Sequence, residues 1–340
     1  MIRINIRGLQ AETIARRFQS GELKLEPLPS DYVEPTRELP IRSERFRITE
    51  MIGRGCWGKV YGAYDEDNTY GTIKVLNPND LALEQMRSRG LTLEDVFAKE
   101  IQGSNCLGVV ERHLEVDYDG KPFIWMPKDY PCTLKSFRES LVSDIRYRSE
   151  ENFLMLQVIS GAFIGCSQIH SLGIVHGDLS PSNILLDNEG HSVIADFGCS
   201  SIISSSDWSN LPKDNIGHPS IRAPELYHKG SHHNFRSEVY SMGAVLFYSI
   251  VGREPRSLGT LSFDDYEKRM RAINASDADS EIEAESKNLP LELRDIFAKA
   301  MAFNPADRHY DCVELNNGFE KLLYQSIRDT LHLVSSSVQS

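Results

Sequence analysis

His176-Gly177-Asp178-Leu179-Ser180-Pro181-Ser182-Asn183, with Asp196-Phe197-Gly198 a short way downstream, is the stretch on which the reading of this chain turns. Asp178 and Asn183 stand on a tight polar loop ahead of the apolar run Ile184 to Leu186, and Asp196 closes the next apolar run, Ser192 to Ala195. Two short strands therefore deliver three oxygen-bearing side chains to one place. Phosphoryl transfer needs such a set: a carboxylate to orient the attacking hydroxyl, here Asp178, and hard oxygen ligands to hold Mg2+ or Mn2+ on the phosphates, here Asn183 and Asp196. Asp and Asn are also common turn residues, and each alone would pass for hairpin chemistry. Their joint order and spacing weigh against that plainer reading.

Working outward, Gly53-Arg54-Gly55-Cys56-Trp57-Gly58-Lys59-Val60 lies between two predicted strands. Glycines let a backbone approach a polyphosphate and turn its N–H groups toward it, where a side chain would obstruct. The motif alone is weak, since a hairpin turn also uses glycine. A strand beginning at Val60 comes next, where a dinucleotide fold would place a helix. Lys74 sits inside the apolar strand Gly71-Thr72-Ile73-Lys74-Val75, where a lysine either faces solvent or is held over an anion. Glu100, on a helix predicted from the Thr92 cap and the stripe Val96, Phe97 and Ile101, is the natural ion-pair partner to hold it there. A surface lysine and a solvated glutamate are the alternatives, and Glu94 lies close by on the same helix.

With these motifs in view, the chain resembles the eukaryotic-type protein kinase family from about Arg45 to Tyr324. The likeness extends to Gly217-His218-Pro219-Ser220-Ile221-Arg222-Ala223-Pro224-Glu225, similar to the end of a kinase activation segment, and to Glu238-Val239-Tyr240-Ser241-Met242-Gly243, similar to the start of the central large-lobe helix. The resemblance implies that Glu225 pairs with Arg308, in Asn304-Pro305-Ala306-Asp307-Arg308. It implies an α+β, two-lobed fold: an extension at 1–44, a small β-rich lobe with one helix at 45–126, a larger mainly α lobe at 127–324 and a polar tail at 325–340. It also implies ATP and Mg2+ or Mn2+, a protein Ser/Thr hydroxyl as acceptor, and Lys74, Glu100, Asp178 and Asn183 as the catalytic set. The implied ATP-binding residues are Ile52, Gly53, Gly55, Gly58, Val60, Thr72, Lys74, Met126, Asp129, Leu185 and Asp196. Among them Met126 is the gatekeeper, Pro127 to Asp129 the hinge, and Val60, Thr72 and Leu185 enclose the adenine.

The chain also departs from the family pattern. Gly177 replaces the arginine beside the catalytic aspartate, Ser180 a lysine, His218 a threonine and Glu238 an aspartate that braces the catalytic loop. Without that arginine, a phosphate on the serines between Gly198 and Gly217 lacks its usual cationic pocket, and its effect is expected to be small. Two other readings compete. Aminoglycoside and choline phosphotransferases share His-Gly-Asp with an asparagine five residues after the aspartate, but generally lack the glycine pattern and Ala-Pro-Glu. A pseudokinase scaffold is opposed by Lys74, Asp178, Asn183 and Asp196, all present.

Bulk properties frame these choices. With 340 residues, 25% charged and 40% hydrophobic, the chain can bury a core without disulfides or metal. A net charge of −12 argues against nucleic-acid binding and makes cationic partners easier to accommodate. The six cysteines are scattered, with no C-x-x-C pair, which suits a reducing compartment, and the expected location is cytoplasmic. The apolar run Met242 to Val251 is too short to span a bilayer and reads as a buried helix, so no membrane partner is expected. At the start, Ile2, Ile4 and Ile6 alternate like a strand and Leu9 to Phe18 fits a short helix, before a linker marked by Pro27, Pro29, Pro35 and Pro40. Arginine is enriched there as in transit peptides, though serine is scarce. The acidic tract Asp277 to Glu285 is expected to be a solvated loop, and the segment after Leu333 a frayed tail.

Overall fold

The computed structural model describes residues 43–55, 58–76, 106–116, 122–141, 148–202, 219–228, 230–256 and 263–338. The expected N-terminal unit with its linker, the expected helix carrying Glu100, and His218 with the serines at 204–209 lie outside them.

The small lobe is an antiparallel sheet of β1 (Arg47–Gly55), β2 (Gly58–Tyr64), β3 (Tyr70–Leu76), β4 (His113–Val116) and β5 (Pro122–Met126), in the order β1-β2-β3-β5-β4. One face buries Phe46, Ala63, Ile73, Phe123 and Trp125, with Phe46 edge-on to Phe123 at 5.6 Å between centroids. Alternation fixes the register, because a slip of one residue would turn this apolar set outward. The apolar pair Val109 and Val110 does not join β4, which begins at His113 and runs to Val116 within the described residues. Val109 and Val110 are claimed by the large lobe instead, Val110 N–H donating to Ile194 O at 2.9 Å and Ile194 N–H to Gly108 O at 2.8 Å. Gly108 has φ +73°, and a Cβ there would lie 2.0 Å from Gly161 O, so only glycine allows this approach.

The large lobe begins with β6 (Cys132–Thr133) and α1 (Leu134–Ser140), then α2 (Arg148–Ser171), β7 (Ile174–Val175), β8 (Ile184–Leu186), β9 (Ser192–Ile194) and β10 (Ser201–Ile202). It continues with α3 (Phe235–Val251), α4 (Phe263–Ala272), α5 (Ala275–Ser286), α6 (Leu291–Ala300) and α7 (Cys312–Val338). Strands β6, β8 and β9 form one small sheet and β7 pairs with β10. Helix α3 is buried at every position from Ser237 to Ile250, as an all-round apolar helix in a core must be. Helix α2 includes a stretch, Asn152–Ser171, apolar enough to cross a membrane at a mean hydropathy of 1.4, yet 61% of it is buried against the rest of the fold. Met155, Ile159, Phe163 and Ile169 are fully or almost fully enclosed, and Phe163 stacks on Phe319 at 4.0 Å. It is a core helix.

Two expectations are corrected. The acidic tract is not a loop but most of α5: Asn274 accepts the Asp277 N–H at 2.9 Å as its cap, and Ala278, Ile282 and Ser286 form a buried stripe at four-residue spacing. Counting charges missed that stripe. The segment after Leu333 is also helical rather than frayed within the described residues, since α7 continues to Val338.

Candidate active site

The β1–β2 hairpin brings Gly53 opposite Val60 and Gly55 opposite Gly58. A Cβ on Gly53 would make only ordinary contact with Val60 at 3.8 Å. Among the described residues nothing therefore requires glycine there, and the space suits a ligand that must approach the backbone closely. Ile52, on the same hairpin, is 43% exposed, apolar surface left for something to cover.

Strand β2 places Val60 opposite Lys74, and β5 places Met126 opposite Thr72. Thr72 is buried, while Val60, Met126 and, on β8, Leu185 are partly open, as walls of a cleft are. Met126 leads into the segment Pro127–Asp129, where Lys128 Nζ bonds Asp187 Oδ2 at 2.6 Å and Asn188 Nδ2 reaches Asp129 Oδ2 at 3.4 Å. Burial on its own would raise the Asp187 carboxyl; the Lys128 and His191 contacts outweigh it and hold the group below its usual range.

Across the cleft, Lys74 Nζ meets Asp196 Oδ1 at 2.5 Å, joining residues 122 positions apart. Asp196 has φ 62°, a conformation that costs a non-glycine residue about 1–2 kcal/mol and persists only where the surroundings impose it. Those surroundings are explicit. Ala195 N–H donates to Asn183 O at 2.8 Å, His176 Nε2 donates to Ala195 O at 2.9 Å, and Phe197 is fully buried against the His176 ring at 4.7 Å. Asn183 Nδ2 in turn donates to Asp178 O at 2.7 Å and to Asp178 Oδ2 at 2.9 Å. With its amide nitrogen so engaged, Asn183 presents its Oδ1, an oxygen acceptor suited to a hard cation. Asp196 adds carboxylate oxygen. The donor set therefore fits Mg2+ or Mn2+.

The catalytic loop is braced from below by Glu238, which is 1% exposed and accepts from His176 N–H at 2.9 Å, Gly177 N–H at 2.6 Å and His170 Nε2 at 3.0 Å. Burial alone would raise its pKa; the His170 and His176 interactions outweigh that and hold it below the usual carboxylate range. For His170, burial opposes the imidazolium while Cys166 and Glu238 favour it. The Cys312 N–H donating to Nδ1 at 3.0 Å decides the matter, because a nitrogen that accepts a hydrogen bond keeps its lone pair. We therefore read His170 as the neutral ring with its proton on Nε2.

Further out, Glu225 and Arg308 form a two-pronged ion pair, Nη1–Oε1 at 2.7 Å and Nη2–Oε2 at 2.8 Å, as the resemblance implied. A protein kinase domain model matches residues 46–316. The chain belongs to the protein kinase family. Among its relatives, the "Probable serine/threonine-protein kinase glkA" of Dictyostelium discoideum is 27% identical over 73% of this chain and 48% of its own length. The "Serine/threonine-protein kinase RUNKEL" of Arabidopsis thaliana is 34% identical over 62% of this chain and 14% of its own. The "Probable serine/threonine-protein kinase PknB" of Lactococcus lactis is 24% identical over 88% and 47%. The chain thus spans half or less of the length of these curated relatives.

Within this kinase domain, the structure brings Lys74, Asp178, Asn183 and Asp196 to one cleft, while Glu100 lies outside the described residues. Glu238 supplies the brace although its side chain is longer than the family's aspartate. Gly177 has φ +81°, and a Cβ there would lie 2.4 Å from Cys199 O, so the backbone of the next segment occupies the space an arginine stem would leave by. Sequence reasoning did not single out His170, Arg112 or the Lys128–Asp187 strap. Only His170 offered a signal, a histidine ending an apolar helix; the others depend on partners far away in the chain.

Proposed function

We propose that this chain transfers the γ-phosphoryl group of ATP to serine or threonine hydroxyls of protein substrates, with Mg2+ or Mn2+ as cofactor. The observation that carries the reading is the convergence of Lys74 and Asp196 at 2.5 Å beside Asn183 and Asp178, themselves joined at 2.9 Å. Bound metal would supply positive charge to the phosphate oxygens, held by Asp196 and Asn183. Lys74 holds the phosphates on the small-lobe side. Asp178 orients the acceptor hydroxyl and receives its proton as the new O–P bond forms, the bond between the β,γ-bridging oxygen and the γ-phosphorus breaks, and ADP leaves. Val60, Thr72 and Leu185 enclose the adenine, and Pro127–Asp129 borders it as the hinge.

The acidic surface implied by a net charge of −12 favours cationic segments near the acceptor and disfavours nucleic acid. The cytoplasm is the compartment we assign, in keeping with scattered cysteines that form no C-x-x-C pair. A transfer assay with γ-labelled ATP, offering a basic protein, a casein-like protein and small amino alcohols in parallel, tests the reading. Label on protein serine or threonine supports it. Label confined to the amino alcohols replaces it with a small-molecule phosphotransferase, and no transfer with intact nucleotide binding replaces it with a pseudokinase.

A further inference from the structure

Cys166, in α2, and Cys312, which opens α7, are 0% and 1% exposed, and their sulfur atoms lie within 4.8 Å of each other and of a His170 ring nitrogen. Two thiols and an imidazole are ligand types that Zn2+ takes. Here the ring has no lone pair to give. Nδ1 accepts the Cys312 N–H at 3.0 Å, and Nε2 carries the proton donated to Glu238 at 3.0 Å. A metal at Nε2 would have to displace that proton while Nδ1 still faces a donor. The thiol pair is left for different chemistry. Its two sulfurs, far apart in sequence, meet because α2 and α7 pack together, with Phe163 stacked on Phe319 at 4.0 Å. Closing from their present separation to the roughly 2.05 Å of a disulfide takes no more than about 3 Å of travel, shared between two side chains and the first turn of α7.

We propose that Cys166 and Cys312 are a modification site: a thiol pair that low-molecular-weight disulfides convert to an intramolecular disulfide beneath the catalytic loop. One cysteine thiolate attacks the small disulfide RSSR, forming Cys–S–SR and releasing RS−. The second cysteine loses its proton and attacks that cysteine's sulfur; the Sγ–Sγ bond forms and the other RS− leaves. The two protons and two electrons given up by the cysteines end on two RSH. Burial pushes both thiols up, so the closed structure holds few thiolates, and exchange proceeds from conformations in which the first turn of α7 has lifted. The bond has a consequence above it. Drawing Cys312 toward α2 pulls its N–H from Nδ1, and Cys166 Sγ already sits 3.9 Å from Nε2, so the ring is disturbed at both nitrogens. That ring supports Glu238, which holds the N–H groups of His176 and Gly177 beside Asp178. Oxidation therefore clamps α2 to α7 and lowers turnover.

The test incubates the full chain with oxidised glutathione and then with dithiothreitol, beside Cys166→Ala and Cys312→Ala. Peptide mapping without reduction should recover the Cys166 and Cys312 peptides as one species, two hydrogens lighter than their sum. Because the bond closes a long loop, the melting temperature of the oxidised chain should rise by at least about 4 °C. Its kcat should fall by about three- to tenfold, the loss one weakened buried hydrogen bond corresponds to, with KM for ATP within about twofold. Dithiothreitol should reverse all three changes. Neither alanine variant should show the rise or the reversible fall, whatever its own starting rate. A glutathione adduct that persists on either cysteine, a bridge to a different cysteine, or stoichiometric zinc held by these thiols would each overturn the proposal. So would a Cys166–Cys312 bond that leaves kcat or the melting temperature unchanged. If an alanine variant does not fold, the wild-type peptide map and its reversal by dithiothreitol decide on their own. If the wild type transfers no phosphoryl group, the kinase reading fails separately, and the bond and the melting temperature, which need no transfer, still decide whether this pair is a modification site.

Discussion

In the small lobe Lys74 rides the middle strand of a five-stranded sheet, whose buried core is Phe46, Ala63, Ile73, Phe123 and Trp125. In the large lobe Asp178 and Asn183 stand on a loop, and their rigidity comes from beneath, from Glu238, His170 and the N-terminus of α7 through Cys312 N–H. One lobe positions its proposed catalytic group, Lys74, by regular backbone pairing and apolar alternation. The other does so through buried polar groups whose donors and acceptors match one another. A sheet tolerates the loss of one exposed tip, whereas a buried polar network transmits the loss of any member. Substitutions at the chemistry should therefore change rate and spare stability, and substitutions beneath the catalytic loop should change both.

The largest effect belongs to Asp196→Asn. It removes the charge at the proposed metal site with almost no change in volume, so turnover should fall by about 10^3-fold or more while unfolding free energy stays within about 0.5 kcal/mol. Turnover and thermal melting measured on one preparation would break the comparison if the two fell together. Lys74→Met comes next. Turnover should drop by about 10^2- to 10^3-fold, with ATP affinity by titration calorimetry reduced only several-fold, because in the proposed site the lysine holds phosphates while apolar walls hold the base. Unchanged turnover would move the role to another cation.

Glu238→Gln should act on the large lobe as a whole. The amide keeps one acceptor oxygen but puts an NH2 in place of the other, facing either the Gly177 N–H or the His176 N–H and His170 Nε2, and so leaves buried donors mismatched, at a cost of about 3 kcal/mol. Because the folded pKa of Glu238 is depressed, its contribution is present above the ordinary value of 4.5 and is lost as pH falls through the lower folded value. The wild type should therefore lose stability down that limb and Glu238→Gln should lack that part of it, which unfolding titrations across acidic pH would read. Matching acid limbs would mean the carboxylate is not what holds the loop.

Gly177→Arg sharpens the comparison from a different side. Restoring the family's arginine looks like a repair in sequence, but at φ +81° with Cys199 O only 2.4 Å from the new Cβ it adds strain and a backbone clash. We expect a loss of about 2 kcal/mol and lower, not higher, activity. A gain in activity on loop phosphorylation in this variant would show instead that the pocket can be rebuilt.

How much of the molecule is legible in its sequence divides along the same line. The strands that carry Val60, Lys74 and Leu185 and the one that leads to Asp196, the central helix α3 and the pairing of Glu225 with Arg308 were legible, because alternation, apolar periodicity and spaced motifs are written locally or in a fixed order. The acidic helix α5 was not, since its burial needs only Ala278, Ile282 and Ser286, too sparse a stripe to outweigh its charges. Nor was the Arg112–Phe197 stack, or the start of β4 at His113 rather than at Val109, because each depends on which distant residue arrives opposite. His170 shows the limit within the site itself: nothing nearby in sequence announces that its two nitrogens join Glu238 to Cys312.

The smallest effect is expected at the strap between the hinge and the β8–β9 turn. Lys128 is 48% exposed at its side chain, so its bond to Asp187 is screened and should contribute no more than about 1 kcal/mol. Asp187 itself is 1% exposed at its side chain and keeps other donors: Glu189 N–H at 3.0 Å, His191 N–H at 2.8 Å and the His191 ring at 3.2 Å. Lys128→Met should thus cost about 0.5–1 kcal/mol at pH 7 and leave kcat within about twofold. The pH dependence carries the sharper signal. The folded pKa of Asp187 is held below 3.8, so its stabilisation is present above that value and fades as pH falls through the lower folded one. Removing Lys128 takes away one source of that depression, the folded pKa moves back toward 3.8, and the acid limb loses part of its depth. Unfolding measured from pH 7 down to about 3 would show the two proteins differing most at neutral pH and converging as Asp187 is protonated. A loss above about 2 kcal/mol, or a fall in kcat with stability unchanged, would mean that the strap sets the angle between the lobes, and that the large lobe's polar scaffold extends through the hinge into the small one.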